Sequence, residues 1–451
     1  MDIYRANFAG LLVLCAGLFA AQYRPSTAES KSSDSSSADL KEKQDNNPAG
    51  SPEASQRSFL LVYTLVMAAD WLQGPFLYSL YTEEHRVSPS LVSTLFTTGF
   101  LSGAASGYFV GSTADRRGRK AACLFFCAAC SLSCLATMIT SVPILFAGRV
   151  LGGVSTSLLF SVFEGWMVTD FHNRQLARKG GDLSQTFGTM STLNSLVAIA
   201  SGVVSEWLVS VTGTRKTPFA ASVVLLSVAF WLISVKWDEN YGDTGYKKAE
   251  SRDKQTTSDS KLWTTLTNPQ VLALGLASTM FEGSMYLFVF FWTPALKSAQ
   301  TTTSALPYGL IFASFMASAL AASLAFNLIT ARQVVRYSAL LVAILATANF
   351  CFFSSVHPKS EQSTFWIFCL FEATVGMYWP CTGYLKGKLI DDGMRAQVYA
   401  ILRIPLNLFV VVVLLYTGDG EAFGSVFALC SKLLPVACGA LGISLLDSDA
   451  P

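Results

Sequence analysis

From residue 58 onward the chain repeats one unit twelve times, an apolar run of about twenty residues followed by a short polar break. As an α-helix, a run of that length crosses the roughly 30 Å hydrocarbon core of a bilayer. A helix is also one of only two backbone forms that satisfy their own hydrogen bonds there. The runs fall near residues 58–81, 89–112, 120–140, 143–167, 185–211, 217–235, 270–293, 304–329, 335–355, 363–386, 395–417 and 423–446. With 51% apolar residues, only 14% charged and a mean hydropathy of +0.43, the expectation is an all-α polytopic membrane protein. A net charge of +2 is too small to suggest a nucleic-acid partner, so the bilayer is the partner that composition names.

The breaks divide the chain. Residues 7 to 22 form a hydrophobic run behind Arg5, and no small-x-small cleavage pattern follows it. Residues 1–22 are therefore expected to be an uncleaved anchor rather than a signal peptide. Residues 23–57, rich in Ser, Asp, Glu, Lys, Pro and Asn, bury too little to offset the entropy of ordering and read as a disordered tether. The polar stretch 236–269 separates two sets of six spans, 58–235 and 270–451. Placing the break after the second span in the cytoplasm gives that face eighteen Lys and Arg, against Arg86, Arg215, Lys216, Lys297 and Lys359 opposite. Both ends of the twelve-span core then face the cytoplasm, with Arg215-Lys216 a local exception.

That second break is the most specific motif in the chain. Gly111-x-x-x-Asp115-Arg116-x-Gly118-Arg119-Lys120 packs cations and one carboxylate into a turn, with Gly118 free to take a positive φ and Asp115 a partner for Arg116 or Arg119. The pattern resembles, without departure, the loop signature between helices 2 and 3 of the major facilitator superfamily. The resemblance implies twelve core helices in two six-helix bundles, here preceded by one N-terminal hydrophobic helix. It also implies a latch between the halves made by Gly111, Asp115, Arg116, Gly118, Arg119 and Lys120. On the preceding span Gly99, Gly103, Gly107 and Gly111 form a bare stripe that suits either a sliding helix or static close packing.

Charge inside the spans is costly, about 2.5–3.5 kcal/mol at a lipid-facing centre, so Asp70, Arg149, Glu164, Glu282, Glu372 and Arg403 are expected to face the interior. Asp70, Glu164, Glu282 and Glu372 open the four three-helix repeats, the helices that line a transporter cavity, and are candidate coupling groups for protons or cations. Glu164, near a cytoplasmic end, is also a candidate gate. Tyr399, Arg403 and Asn407 recur at i, i+4 and i+8, a stripe able to hold a tetrahedral oxyanion through the planar guanidinium fork. Arg149, in Gly148-Arg149-Val150-Leu151-Gly152-Gly153, resembles the superfamily's helix-4 arginine, and Gln73 completes the candidate substrate set. The alternative for each arginine is simple neutralisation of a nearby acid. Prolines 75, 380, 405 and 435 interrupt spans, two of them close to Asp70 and Glu372.

No catalytic or metal site is expected. His85, His172 and His357 fall in loops, and Cys123, Cys127, Cys130 and Cys134 share one helix face where packing outweighs a metal reading. No cofactor is implied. The strings Ala69-Asp70-Trp71-Leu72-Gln73, Leu158-Leu159-Phe160-Ser161-Val162-Phe163-Glu164-Gly165-Trp166, Trp237-Asp238-Glu239-Asn240-Tyr241, Phe291-Trp292-Thr293-Pro294 and Arg403-Ile404-Pro405 resemble the molybdate-anion transporter branch of the superfamily. That resemblance implies molybdate uptake, with protons a candidate coupling ion and the plasma membrane placed ahead of an endomembrane. The residues alone suit sulfate, another anion or a sugar equally, the last using Asp70, Gln73, Asn194 and Trp379. A non-transport scaffold is the remaining alternative, disfavoured because a scaffold needs no latch.

Overall fold

The computed structural model describes residues 3–22, 52–242, 262–300, 305–331, 335–357, 360–390, 395–417 and 423–445. Among them are thirteen helices of nineteen residues or more. They are α1 (Ile3–Gln22), α2 (Pro52–Gln73), α3 (Pro89–Arg117), α4 (Arg119–Thr137), α5 (Val142–Asn173), α6 (Leu183–Thr212), α7 (Thr217–Lys236), α8 (Pro269–Ser298), α9 (Tyr308–Ala331), α10 (Tyr337–Ser355), α11 (Glu361–Leu389), α12 (Arg395–Tyr416) and α13 (Phe423–Leu445). Helices α2–α7 and α8–α13 are the two bundles. Starts carry local signals: Asp182 Oδ1 accepts from Ser184 N at 2.8 Å and Asn268 Oδ1 from Gln270 N at 2.9 Å, while Pro89 and Pro269 open α3 and α8.

Two boundaries differ from the hydropathy reading, for one reason. Helix α2 starts at Pro52, inside the stretch expected to be tether, and α5 runs on to Asn173. These extensions are polar, so an apolar window misses them, yet they anchor each other: Ser55 Oγ donates to Asp170 Oδ2 at 2.7 Å. The rest of the tether, residues 23–51, lies outside the described residues, as does 243–261 of the central loop. At Pro75, which offers no N–H, α2 gives way to a 3-10 turn over Gly74–Phe76 and ends in a π-turn, Leu80–Glu84. Helices α11, α12 and α13 pass through Pro380, Pro405 and Pro435 unbroken, and α8 through Pro294.

Ten of the described helices are long and apolar enough to cross a membrane. Helices α3 and α11 are not among these ten, and α12 contributes the shorter apolar stretch Ile401–Tyr416. Helix α3 packs on α5 within its own bundle and meets α12 across the halves. Its glycine stripe serves the first contact. A side chain at Gly103 would press on Gly153 O at 3.4 Å, and Gly107 faces Ser157 Oγ at 3.7 Å.

The first helix lies against the second bundle. Cys15 Sγ contacts Ala317 O at 3.2 Å, Gln22 Nε2 donates to Leu324 O at 2.9 Å, and Tyr4 Oη donates to Glu361 Oε1 at 2.6 Å. Because the first two contacts advance in step, α1 runs parallel to α9 and brings residue 22 to the cytoplasmic face.

The halves meet most closely where α6 crosses α9. A Cβ on Gly202 would lie 2.7 Å from Gly309 O and 2.9 Å from Ala313 Cβ, so only glycine permits this backbone contact. Overpacking there costs about 1–3 kcal/mol. Gly202→Ala is expected to shift the molecule about tenfold toward a form in which the halves part at this contact. The check is faster labelling, by a membrane-impermeant maleimide, of a cysteine introduced by Phe312→Cys, with Gly107→Ala leaving the rate unchanged.

Candidate transport site and gates

Contacts that join the halves gather at the outer end. Glu83, at the end of the α2 π-turn, is shared by Arg215 from the α6–α7 turn, by Lys297 Nζ of α8 at 2.7 Å and by Tyr308 Oη of α9 at 2.9 Å. Next to it Glu84 accepts from Thr214 Oγ1 at 2.7 Å and from Arg215 N at 2.8 Å, and Glu206 accepts from Gly309 N at 2.8 Å. Beneath this cluster an aromatic layer crosses the interface: Phe96 and Tyr78 sit edge-on to Phe290 at 4.8 and 5.5 Å, Phe100 to Tyr286 at 5.3 Å, and Phe76 to Tyr308 at 6.2 Å. The described halves are therefore joined at the end that the distribution of Lys and Arg assigns to the outside. Arg215, from the Arg215-Lys216 exception to the positive-inside pattern, and Lys297, another of the five opposite-face cations, are both ligands of Glu83.

Below the aromatic layer three helices of the second bundle converge. Glu282 of α8, 4% exposed, accepts from Tyr378 Oη of α11 at 2.8 Å and pairs with Lys386 Nζ, also of α11, at 3.5 Å. The Lys386 ammonium lies 5.5 Å over the Tyr399 ring of α12. One turn along α12 stands Arg403, exposed, with no carboxylate among the described residues at ion-pair distance. Tyr286 of α8 is within electrostatic reach of both Arg403 and Glu282. Asn407, half-buried, continues the stripe. The structure thus brings together Glu282, Tyr399 and Arg403, and adds Lys386, Tyr378 and Tyr286.

The other charged candidates stand apart from this group. In the first bundle Arg149 is half-buried with its guanidinium 5.0 Å over the Phe96 ring, in space that Gly99 leaves open, and its Nε has no hydrogen-bond partner. Asp70 faces the Cys134 side of α4, and Gln73 turns to Ala69 O at 2.9 Å and Cys130 Sγ at 4.0 Å. Neither Asp70 nor Glu372, which is 6% exposed, hydrogen-bonds to a described residue. Glu372 shares a helix face with Gly376, which closes on the Ala319 backbone of α9. Glu164 is exposed beside Tyr63. Of the groups suggested for a neutral solute, Asn194 Oδ1 is taken by Trp71 Nε1 at 2.8 Å.

The Gly111–Lys120 motif, expected to be a turn, is helical up to Arg117 and again from Arg119, with Gly118 alone making the break, and its contacts lie within its own half. Gly118 takes φ 111°, a value that favours glycine, and a Cβ there would strike the Glu239 carboxylate. Asp115 pairs with Arg119 at 2.7 Å. Arg119 also donates to Gly165 O at 2.9 Å and to Thr169 Oγ1. Residues 237–242, expected to begin a loose central loop, fold back onto this turn. Glu239 accepts from the N–H groups of Lys120 at 2.7 Å and Ala121 at 3.1 Å, capping α4 where its dipole favours an anion. Trp237 stacks on Trp166 at 3.8 Å. Arg116 is exposed. With the outer end closed, these charges are stored within the first bundle.

Sequence reasoning missed Lys386 and Glu83, since each sits near a span end and reads as an interfacial charge. Their signal was a Lys at the end of an apolar run that also holds Glu372, and outward cations in need of a counter-charge.

Two six-helix bundles joined at one end, with ionic groups carried inside membrane-length helices, are the build of a membrane transporter and not of an enzyme. The family described as "Sugar transporters, 12 TM" matches residues 30–363. Molybdate-anion transporters of Xenopus tropicalis and Danio rerio are 32% and 31% identical to this chain, covering 90% and 85% of it and 89% and 85% of their own lengths. The chain belongs to the major facilitator superfamily, in the branch that holds these transporters. Among solved structures, the nucleoside transporter NupG (TM-score 0.64, 11% identity, 87% of this chain and 99% of that one) shares the fold. So does the POT family transporter PepTSo (TM-score 0.66, 11% identity, 86% and 97%).

Glu83→Gln is expected to leave Arg215 and Lys297 facing each other without a counter-charge. Partly buried hydrogen bonds to charged groups are worth roughly 1.5–3 kcal/mol, so outer-face labelling after Phe312→Cys should rise about tenfold. Labelling that stays at the unsubstituted rate would mean that the aromatic layer alone closes this end.

Proposed function

We propose that the protein carries a small oxyanion of the molybdate class across the membrane by rocking its two bundles about the Glu282–Arg403 region. The observation that carries this reading is the second-bundle site itself. Lys386 and Arg403 converge there with three phenols, and Arg403 has no carboxylate to neutralise it among the described residues. An exposed guanidinium with no carboxylate partner among the described residues suits an anionic cargo, whose paired oxygens match its planar fork. A neutral sugar would not offset that charge. The names of the relatives from Xenopus and Danio point the same way, whereas the family description names sugars. Tyr399 and Asn407 fit as flanking donors, with Arg149 reached from the first bundle when the aromatic layer parts. We take the membrane to be the plasma membrane, where an uptake carrier meets its supply; surface biotinylation of intact cells checks this.

The test is uptake of labelled molybdate by the purified protein in lipid vesicles. Arg403→Ala should lower uptake at least about tenfold, the scale of one lost charge-assisted pair, with insertion unchanged. Unlabelled sulfate should compete and unlabelled sugars should not. Competition by sugars alone would instead favour the neutral-solute reading.

A further inference from the structure

Lys432 lies inside the apolar run of α13, nine residues past Phe423, or roughly 14 Å at 1.5 Å per residue, and takes no part in the site above. A cation at that depth is costly unless its ammonium finds a polar setting. We propose that the cleft between the outer ends of α10, α11 and α13 supplies that setting by binding a membrane phospholipid, its phosphate on Lys432, His357 and Ser354 and an acyl chain along the apolar wall. This site is separate from the oxyanion reading and does not rest on it.

The cleft has room and a firm wall. Its volume is about 570 Å³, inside the roughly 300–1,000 Å³ range of small-molecule sites. Phe353 of α10, Ile367 of α11 and Ala428 of α13 line it, and each is backed by its neighbour in the chain. Phe427 meets Phe352 at 5.4 Å and Phe368 at 6.2 Å, three buried rings that hold the helices together beside the opening. A Cβ on Gly424 would lie 3.3 Å from Val356 O, so α13 and α10 close on each other at their outer tips.

Its polar groups are those an anion needs. Among the described residues Lys432, His357 and Ser354 have no hydrogen-bond or ion-pair partner, so three donors remain unspent. Ser363, Thr364 and Ser431, by contrast, give their hydrogens to backbone oxygens at 3.0, 2.8 and 2.9 Å. No carboxylate is among the described residues of the lining, and Glu361 at the start of α11 is engaged by Tyr4. An ammonium with free donors and no acid beside it complements a phosphate.

Position selects a lipid over a free anion. Helix α10 packs on α11 and α13, and α13 on α8 and α10, all within the second bundle, whereas the first bundle meets this one through α9 and α12. The cleft therefore lies on a flank, where acyl chains run. Phe353, 70% exposed, stands at its edge as a surface for such a chain. Helix α13 enters from the outer face, and side chains lean toward the start of their helix. Lys432 thus points toward the outer headgroups, with its stem along the apolar wall.

Three probes separate phosphate from tail: dioctanoyl phosphatidic acid, the matching diacylglycerol without its phosphate, and inorganic phosphate without tails. Added to the purified full-length protein in detergent, phosphatidic acid should bind, as read by native mass spectrometry, and should raise the Tm. Diacylglycerol should bind at least about tenfold more weakly, the scale of one charge-assisted pair, and inorganic phosphate should not displace the lipid. Lys432→Ala should weaken lipid binding about tenfold and Lys432→Arg should keep most of it. Ala428→Trp, which fills the cleft and leaves the cation, should weaken binding as Lys432→Ala does. Lys216→Ala, which removes a cation from the outer end of the first bundle, should change nothing. Equal losses in Lys432→Ala and Lys216→Ala, or undiminished binding in both Lys432→Ala and Ala428→Trp, would overturn the proposal. So would displacement of the lipid by inorganic phosphate, which would assign the cleft to a free oxyanion.

Discussion

One carboxylate decides which way this molecule faces. Glu83 accepts from groups on three separate parts of the chain, Arg215 in the first bundle and Lys297 and Tyr308 in the second, and so ties the halves together at the outer surface. Below that knot the closure needs only shape: small residues where α6 crosses α9, then rings at the α3–α8 boundary. The order follows from solvent. Ion pairs belong where water can meet them when they separate, and apolar rings belong where separation is brief and dry.

The fold handles ionic groups in the membrane in three ways. Glu282 is paired and hydrogen-bonded, Arg149 rests on an aromatic face, and Arg403 is exposed with no carboxylate at ion-pair distance among the described residues. Only the last is free to receive a ligand without first breaking a contact. At the cytoplasmic end the same chemistry serves an internal purpose, because the Asp115–Arg119 pair and the Glu239 cap knit α3, α4, α5 and the segment after α7 into one unit. A bundle braced in this way can rotate as a rigid body, as movement about a mid-depth site requires.

Much of this architecture was legible in residue order, because a bilayer leaves an apolar run of twenty residues few alternatives. The helices appeared where hydropathy placed them, and Gly118 took the positive φ its motif required. What escaped was polar. Pro52–Arg57 carries too few apolar residues to register as helix, although Ser55 and Gln56 find partners on α5 and α6. Lys386 looks like an interfacial lysine until folding brings α11 beside α8 and sets it next to Glu282. Pairings such as Glu83 with Lys297, more than two hundred residues apart, depend on how two bundles dock, and no local pattern encodes that. Arg215 and Lys297 did show as charges on the wrong face, an imbalance whose meaning emerges only with their acid in view.

Helix α1 sits on the second bundle, yet the chain leaving it must return to the first at Pro52. Residues 23 to 51 can reach about 100 Å at roughly 3.3–3.6 Å each, far beyond the few tens of ångströms that separate neighbouring helices at one membrane face. The first helix is therefore a passenger of one rocker arm, and the moving parts are unequal: six helices swing against seven.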